Sequence, residues 1–164
     1  MKKYEFTGET KRVELWNRTA TLHRIKATVE FGFVKVGELG GWIEKEENLS
    51  HEGKAWVCGD AEVWGNAKVW GNAKVCGDAE VCGDAEVFLA SHVLVMGSVG
   101  SRNDFTTFFR DKDNEITVKC GCFLGKIDKF LEKVTQTHGN NKYALVYRAA
   151  VEVAKLQIEL TERK

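Results

Sequence analysis

The residues best suited to bind a ligand lie between positions 101 and 110, where the stretch SRNDFTTFFR mixes hydroxyl, guanidinium and phenyl groups. Arginine can hold a phosphate through two hydrogen bonds, hydroxyl groups can complete the contacts to its oxygens, and an aromatic ring can stack on a base. The alternative is that the phenylalanines are core residues and the arginines are solvated. The ligand-binding interpretation predicts a nucleotide-type site formed by Ser101, Arg102, Thr106, Thr107, Phe109, Arg110 and His138.

A second group of reactive side chains comprises Cys120, Cys122 and His138. Two thiols and an imidazole could coordinate zinc, but Cys-x-Cys with one distant histidine lacks the paired spacing of structural zinc sites and offers no evident fourth ligand. Small buried thiols are the favoured interpretation, ahead of a cysteine nucleophile assisted by His138. We therefore predict no catalytic residue, no metal and no cofactor, and leave open whether these three residues form a site.

The elements that must position both groups lie in a C-terminal module, residues 101–164. Strands are predicted at residues 105–110 and 116–122, around a turn at residues 111–114. Helices are predicted from about residue 126 to 137 and from the position after residue 140 or 141 to about residue 161.

The second predicted helix carries two apolar stripes. One has coiled-coil spacing and comprises Val146, Ala149, Val153, Leu156 and Leu160. The other comprises Tyr143, Tyr147, Val151, Ala154 and Ile158. One stripe can pack on the hairpin of its own module and the other on partner helices.

Before this module, residues 57–99 repeat with a period of six, and a valine occupies every sixth position from Val57 to Val99. Neither a helix nor a long strand has this period. In each Ala-x-Val triplet the alternation points Ala and Val inward, and the Gly-Asp or Gly-Asn pair that follows suits a tight turn. Three such sides make a triangular rung of 18 residues, so that Val57, Val75 and Val93 stack in one column.

These hexads resemble the left-handed parallel β-helix of hexapeptide-repeat proteins, and the handedness is implied by that resemblance. The predicted fold class is mainly β with C-terminal helices. It comprises an N-terminal β cap (residues 1–50), a short left-handed parallel β-helix (residues 51–100), and a C-terminal β-hairpin with two helices, one of them oligomerising (residues 101–164). So short a coil leaves open ends, so the cap, with strands at residues 3–6, 13–16 and 21–31, is expected to cover one of them.

Large apolar residues follow the inward valines at Trp64, Trp70, Phe88 and Leu94, and they are expected to point outward at the corners. Exposed tryptophans at fixed spacing indicate that something packs on them. Two interpretations stay open, namely contact with the termini of the same chain and a trimer interface.

Composition limits the partners. The 24 basic and 24 acidic residues balance, so no general affinity for nucleic acid or for an acidic membrane is expected. The sequence contains no apolar run of 18 residues, which argues against a membrane span. Five cysteines, an odd number without a disulfide-rich layout, fit a reducing cytoplasm.

Five stretches outside the hexads carry a second resemblance: KYEFTGET, GELGGWIEKEENLS, SRNDFTTFFR, CGCFLG and THGNNKY. With the repeats between them, they look like a family of small bacteriophage and prophage proteins of uncharacterised function. The resemblance covers nearly the whole chain. It implies a phage origin, a location in the cytoplasm of an infected host cell, and a repeat that serves as a stand for the C-terminal module.

The leading functional hypothesis is a non-enzymatic ligand-binding protein that sequesters a nucleotide immune signal of the host, such as a cyclic nucleotide or an ADP-ribose derivative. The alternative is a structural or protein-binding scaffold. A third is an acyltransferase-like enzyme, because many left-handed hexapeptide-repeat proteins have that activity. We expect a homo-oligomer, with a trimer favoured, that meets a small nucleotide but neither a membrane nor a long nucleic acid.

Overall fold

A computed structural model describes residues 2–15 and 17–160. Within these ranges the chain forms short strands followed by two helices. The N-terminal strands are β1 (Tyr4–Glu14), β2 (Thr19–Ala27) and β3 (Leu39–Ile43). The hexads form β4 (Trp56–Val57), β5 (Glu62–Val63), β6 (Lys68–Val69), β7 (Lys74–Val75), β8 (Glu80–Val81) and β9 (Glu86–Val87). The last part forms β10 (Val93–Val99), β11 (Asp104–Arg110), β12 (Ile116–Cys120), β13 (Phe123–Lys126), α1 (Ile127–His138) and α2 (Lys142–Gln157).

The N-terminal segment is one long antiparallel hairpin, in which β1 pairs with β2 from Tyr4 opposite Ala27 to Glu14 opposite Thr19. The two short strands predicted before residue 17 are therefore one strand with an irregularity, and Trp16, the predicted end of the second, lies outside the described residues. Strand β3 continues the sheet, antiparallel to β2 and parallel to β5.

The glycines of β3 allow this strand to lie close to the hexads. A Cβ atom on Gly41 would lie 2.6 Å from the carbonyl oxygen of Ala61 and 2.8 Å from Cγ1 of Val57. Only glycine allows β3 to lie this close to the hexads. The close contact places Trp42 and Ile43 in the core.

The hexads bury the residues that the alternation predicts, since alanine and valine of each Ala-x-Val triplet are enclosed. Valines eighteen residues apart lie side by side, because β4 pairs with β7, β5 with β8 and β6 with β9, all in parallel. Each of these pairings involves two residues per strand.

The prediction of a left-handed parallel β-helix is wrong. The described strands form four separate small sheets, not a closed or solenoid sheet, and most of the strand pairing is antiparallel. The expected third rung, in which Val93 would stack on Val75, does not form, because Val93 pairs antiparallel with Phe109. The physical reason lies in the last two hexads, where Leu89-Ala90 and Val95-Met96 replace the Gly-Asp or Gly-Asn turn. Without those turn residues the chain runs on as β10.

The corner residues also differ from the prediction. Trp64 is buried rather than outward, and Trp70 stacks on Phe88 with ring centroids 5.0 Å apart. His92 is buried in a 3-10 turn, where its Nδ1 accepts hydrogen bonds from the backbone N–H groups of Phe88 and Leu89 at 3.1 and 3.2 Å.

The C-terminal sheet has the order β10-β11-β12-β13, and all its neighbouring strands are antiparallel. Helices α1 and α2 pack on it. Strand β11 joins two hydrophobic cores, because Phe108 lies in the core with the helices whereas the next residue, Phe109, lies in the core with the hexads. The residues between 104 and 110 therefore connect the module to the repeats.

Candidate functional site

Four of the residues predicted to bind a nucleotide are buried on β11 and have partners within the chain. The hydroxyl of Thr107 accepts a hydrogen bond from the backbone N–H of Glu80 at 3.0 Å. The hydroxyl of Thr106 donates to the sulfur of Cys120 at 3.3 Å. Phe109 is completely enclosed in the core.

Arg110 is the most firmly held member of the predicted site. Its side chain donates to the carbonyl oxygen of Glu86 at 2.8 Å and to Oδ1 of Asn114 at 3.1 Å. The guanidinium carbon also lies 5.1 Å from the ring centroid of Phe88, within cation–π range. With 9 % of its surface exposed, Arg110 serves to dock β11 on the hexads.

The other predicted residues lie at the far end of β11. Seven strand residues span roughly 20 Å, so Arg102 and Arg110 cannot hold one phosphate within a single chain. Ser101 and His138 both lie beside Tyr147, and the rings of His138 and Tyr147 stack with their centroids 6.0 Å apart. Burial, together with the neighbouring Cys120, raises the pKa of the Tyr147 hydroxyl.

Cys120, Cys122 and His138 do not form a ligand set. Cys122 is exposed in the two-residue turn between β12 and β13, whereas Cys120 is half-buried beside Thr106. Across residues 2–15 and 17–160, no three His, Cys, Asp or Glu side chains are grouped so that they could hold a metal ion.

Two clefts lie where the N-terminal hairpin, the hexads and β12 approach one another. The first, of about 410 Å³, is lined by carboxylates, namely Glu14, Asp60, Glu62, Asp78, Glu80 and Asp104. Its two lysines are paired, Lys11 with Glu62 at 2.6 Å and Lys119 with Glu80 at 3.6 Å. Burial raises the pKa of Glu80 although Lys119 opposes this. A phosphate would be repelled here.

The adjoining cleft, of about 460 Å³, contains Arg18 and Lys119 as its cations. Arg18 donates two hydrogen bonds to the carboxylate of Glu44, at 2.6 and 3.0 Å, which lower the pKa of that carboxyl. Lys119 is the same residue that pairs with Glu80. Both positive charges are already neutralised by neighbours.

A third pocket, of about 530 Å³, has different chemistry. We call it the β2–β3 pocket, because the loop between those strands forms one wall and the hexads form the other. Its walls combine apolar groups with two lysines and comprise Gly32, Phe33, Val34, Glu38, Lys54, Trp56, Cys58, Asn72, Lys74 and Cys76.

The repeat itself builds the hexad wall. Lys54, Trp56 and Cys58 alternate along one layer, and Asn72, Lys74 and Cys76 occupy the same positions eighteen residues later. Backbone hydrogen bonds hold the layers in register, from Trp56 N–H to the Ala73 carbonyl at 3.1 Å and from Cys58 N–H to the Val75 carbonyl at 2.9 Å.

This stacking also brings two thiols together. The Cα atoms of Cys58 and Cys76 lie 4.5 Å apart, and the residues form a disulfide, while Cys82, Cys120 and Cys122 are free. The expectation of reduced cysteines throughout is therefore not met. The bond arises because the period places identical residue types in one column.

The loop wall is anchored by one phenylalanine and exposes another. Phe31 packs edge-on against Trp56 with ring centroids 5.3 Å apart. Phe33, beyond Gly32, is 88 % exposed, and the Lys74 ammonium lies 5.0 Å from its ring centroid. Gly32 has a φ of 53°, a left-handed conformation that glycine adopts without strain.

The electrostatics of the β2–β3 pocket favour an anion. No carboxylate oxygen of the described residues lies within 4 Å of the Lys54 or Lys74 ammonium. Glu38, the acidic residue of the walls, has Oε1 at 3.5 Å from the backbone nitrogen of Lys35. An exposed ring beside unpaired ammonium groups can hold a planar ligand that carries negative charge.

No sequence motif predicts the β2–β3 pocket. The available signals were the stretch Phe31-Gly32-Phe33, with an aromatic residue on each side of a turn residue, and the column that contains Lys54 and Asn72. Neither signal indicates on its own that a loop from residue 28 onward folds over that column.

A scan against protein-family models and a search of curated proteins found no match to this chain. The resemblance to phage proteins therefore stays a prediction. In the part of the chain that the structure describes, no helix is both long and apolar enough to cross a membrane, since even α2 has 16 residues.

Proposed function

We propose that the protein binds, without transforming it, a small anionic ligand with a planar ring, of the nucleotide class, in the β2–β3 pocket. The observation that carries this proposal is the pair of lysines, Lys54 and Lys74, beside the exposed ring of Phe33. In the two clefts beside β12 the cations are paired with carboxylates.

Size and chemistry support the same ligand class. A volume of about 530 Å³ falls within the range of small-molecule sites. Lysine binds phosphate as a point charge, an aromatic ring stacks on a base, and the amide of Asn72 can both donate and accept hydrogen bonds. The nucleotide class of the sequence hypothesis is thus retained, but the ligand contacts are assigned to other residues.

Binding is favoured over catalysis by the lining residues themselves. The two cysteines of the walls are joined to each other, which leaves no free thiol among the described lining residues. None of those residues pairs a nucleophile with a histidine base. Sequestration of a host nucleotide signal in the cytoplasm, the leading hypothesis from the sequence, is part of the proposal.

A scaffold role is the second candidate, and a specific feature favours it. The outward side of α2 carries apolar residues, of which Leu156 is 88 % exposed. We rank it second because a scaffold role does not account for the two lysines beside the exposed ring in the β2–β3 pocket.

The test is equilibrium dialysis of the purified protein against cyclic dinucleotides, cyclic mononucleotides and ADP-ribose derivatives, followed by heat release and chromatography. We expect one compound to be depleted and recovered intact. Lys74→Gln and Phe33→Ala should each weaken its binding by roughly tenfold, since each removes one charged or stacking contact.

The matched control is Lys68→Gln, because Lys68 occupies the same hexad position as Lys74 but lies on β6, outside the pocket. It should bind like the unaltered protein. Depletion of no compound, or equal affinity in Lys74→Gln and Lys68→Gln, would overturn the proposal. Recovery of an altered compound would show an enzyme instead.

A further inference from the structure

Helix α2 has one buried side and one exposed apolar side. Tyr147, Val151 and Ala154 pack in the core that the helix shares with the C-terminal sheet. On the opposite side, Leu156 is 88 % and Val153 45 % exposed. The stripe that contains Tyr147 therefore packs on the module's own sheet, and the stripe that contains Val153 is left without cover among the described residues.

We call the residues Val146, Ala149, Val153 and Leu156 the α2 seam. Their spacings of three, four and three are those of alternating a and d positions in a heptad. Leu160, the predicted end of the stripe, lies beyond the last helical residue, and residue 161 lies outside the described residues.

We propose that a second copy of this chain covers the α2 seam, with the two helices parallel in a dimer. Valine at both a positions, with leucine at the second d position, favours two parallel strands over three. The seam therefore argues for a dimer where the sequence hypothesis favoured a trimer. This inference does not rest on the proposed ligand.

The charges beside the seam set the orientation. Within the helix, the heptad puts Leu145 and Glu152 at g positions, and it puts the buried Ala150 and the exposed Gln157 at e positions. Parallel helices bring g opposite e, so Glu152 faces the neutral Gln157 of the second copy. Antiparallel helices bring g opposite g, where Glu152 would meet a glutamate of the second copy.

A strongly charged helix of another protein would fit the α2 seam less well than a second copy of α2. The exposed border carries both signs, since Arg148 and Lys155 alternate with Glu152, and Lys155 pairs with Glu152 at 3.3 Å. Such a border offers no net field to attract an acidic or a basic partner. The same helix in a second copy presents the same spacing and a compatible neutral border.

The first experiment measures mass by light scattering after size-exclusion chromatography, over a hundredfold range of protein concentration. We expect a dimer for the unaltered chain and a monomer for Leu156→Glu at concentrations where the unaltered chain is dimeric. The matched control, Leu39→Glu, introduces the same charge at an exposed leucine of β3 and should stay dimeric. Circular dichroism confirms that each variant is folded.

The second experiment tests orientation by oxidative crosslinking in a Cys122→Ser background, which removes the exposed native thiol. Ala149→Cys should crosslink to itself, because equivalent d positions face each other in a parallel pair. Crosslinking of Ala149→Cys to Val153→Cys in a mixture, without self-crosslinking of Ala149→Cys, would overturn the parallel arrangement, because antiparallel helices bring d positions opposite a positions. A monomeric or trimeric unaltered chain, or a dimeric Leu156→Glu, would overturn the dimer.

Discussion

Replacement of Asp111 should weaken the fold more than replacement of any exposed carboxylate, because this side chain organises the turn between β11 and β12. Its Oδ1 accepts hydrogen bonds from the backbone N–H groups of Asp113 and Glu115, at 2.9 and 3.1 Å. Its Oδ2 accepts from the Thr117 hydroxyl at 2.7 Å and from the Lys126 ammonium at 2.8 Å. Asp111 is 2 % exposed.

The size of the loss follows from these contacts. Removing one partner of a buried ion pair costs about 3–5 kcal/mol, because the other charge is left uncompensated. The Lys126 side chain is 34 % exposed and keeps Asp113 at 2.9 Å and Glu115 at 3.7 Å as partners, so its charge stays compensated after the change. We therefore expect the lower end of that range, most of it from the buried hydrogen bonds that the Asp111 carboxylate accepts. For Asp111→Ala, a loss of about 3 kcal/mol corresponds to a Tm lower by roughly 6–12 °C for a chain of this size.

The assay is urea and thermal unfolding of the unaltered chain, Asp111→Ala and Asp111→Asn at pH 7. Asp111→Asn keeps an oxygen for the two N–H groups but loses the charge opposite Lys126, so its loss should be about half as large. The control, Asp128→Asn, changes an exposed residue in the first turn of α1 and should cost less than about 1 kcal/mol.

The same contacts predict a dependence on pH. Burial alone would raise the pKa of Asp111, but the hydrogen bonds from Lys126, Thr117 and the two backbone N–H groups lower it below the ordinary value of 3.8. A carboxyl with a lowered pKa stabilises the fold above the ordinary value, and this contribution is lost as the pH falls through its pKa in the fold. The advantage of the unaltered chain over Asp111→Asn should therefore shrink below pH 3.8. An Asp111→Ala protein as stable as the Asp128→Asn control would refute this account of the turn.

Two further predictions concern the predicted nucleotide site and the cysteines. Arg110→Ala should lower the free energy of unfolding by about 2–3 kcal/mol, and with it the Tm, because it removes two hydrogen bonds and the contact with Phe88. Arg102→Ala should leave the Tm unchanged. Differential scanning calorimetry checks both, and equal Tm values would contradict the docking role. Titration of the denatured, unreduced protein with a thiol reagent should find three reactive thiols, and five after reduction; five without reduction would show that Cys58 and Cys76 are not joined. Cys76→Ser should cost about 3 kcal/mol, the expected value for the 18-residue separation that this bond spans.

Local sequence patterns predicted which residues are buried in the hexads and where the two helices lie, because both depend on the spacing of apolar residues along the chain. The alternation of Ala-x-Val buried the residues that it indicated, and the spacing of apolar residues located both C-terminal helices to within a few residues. Pairing partners were less predictable. Val93 continues the spacing of one valine every six residues, yet it pairs with Phe109 of β11, a strand that lies outside the repeat.

The candidate site shows the same limit. Thr107 and Arg110 have the side chains that a phosphate site needs, but the same groups also bind backbone N–H and C=O groups, and here they bind those of Glu80 and Glu86. The β2–β3 pocket combines a loop near residue 33 with layers near residues 54 and 74. Only the tertiary fold brings together segments so far apart in the sequence.

The docking of β11 has a consequence for how such a chain can evolve. Thr107 and Arg110 contact main-chain atoms of Glu80 and Glu86, and the backbone N–H of Lys112 donates to the carbonyl oxygen of Asp84 at 2.9 Å. Main-chain atoms are the same whatever side chain a hexad carries. Substitutions in the hexads can therefore accumulate without loss of these three contacts. Duplication of a hexad would present another copy of the same acceptors and donors, so these three contacts could form on a repeat of different sequence.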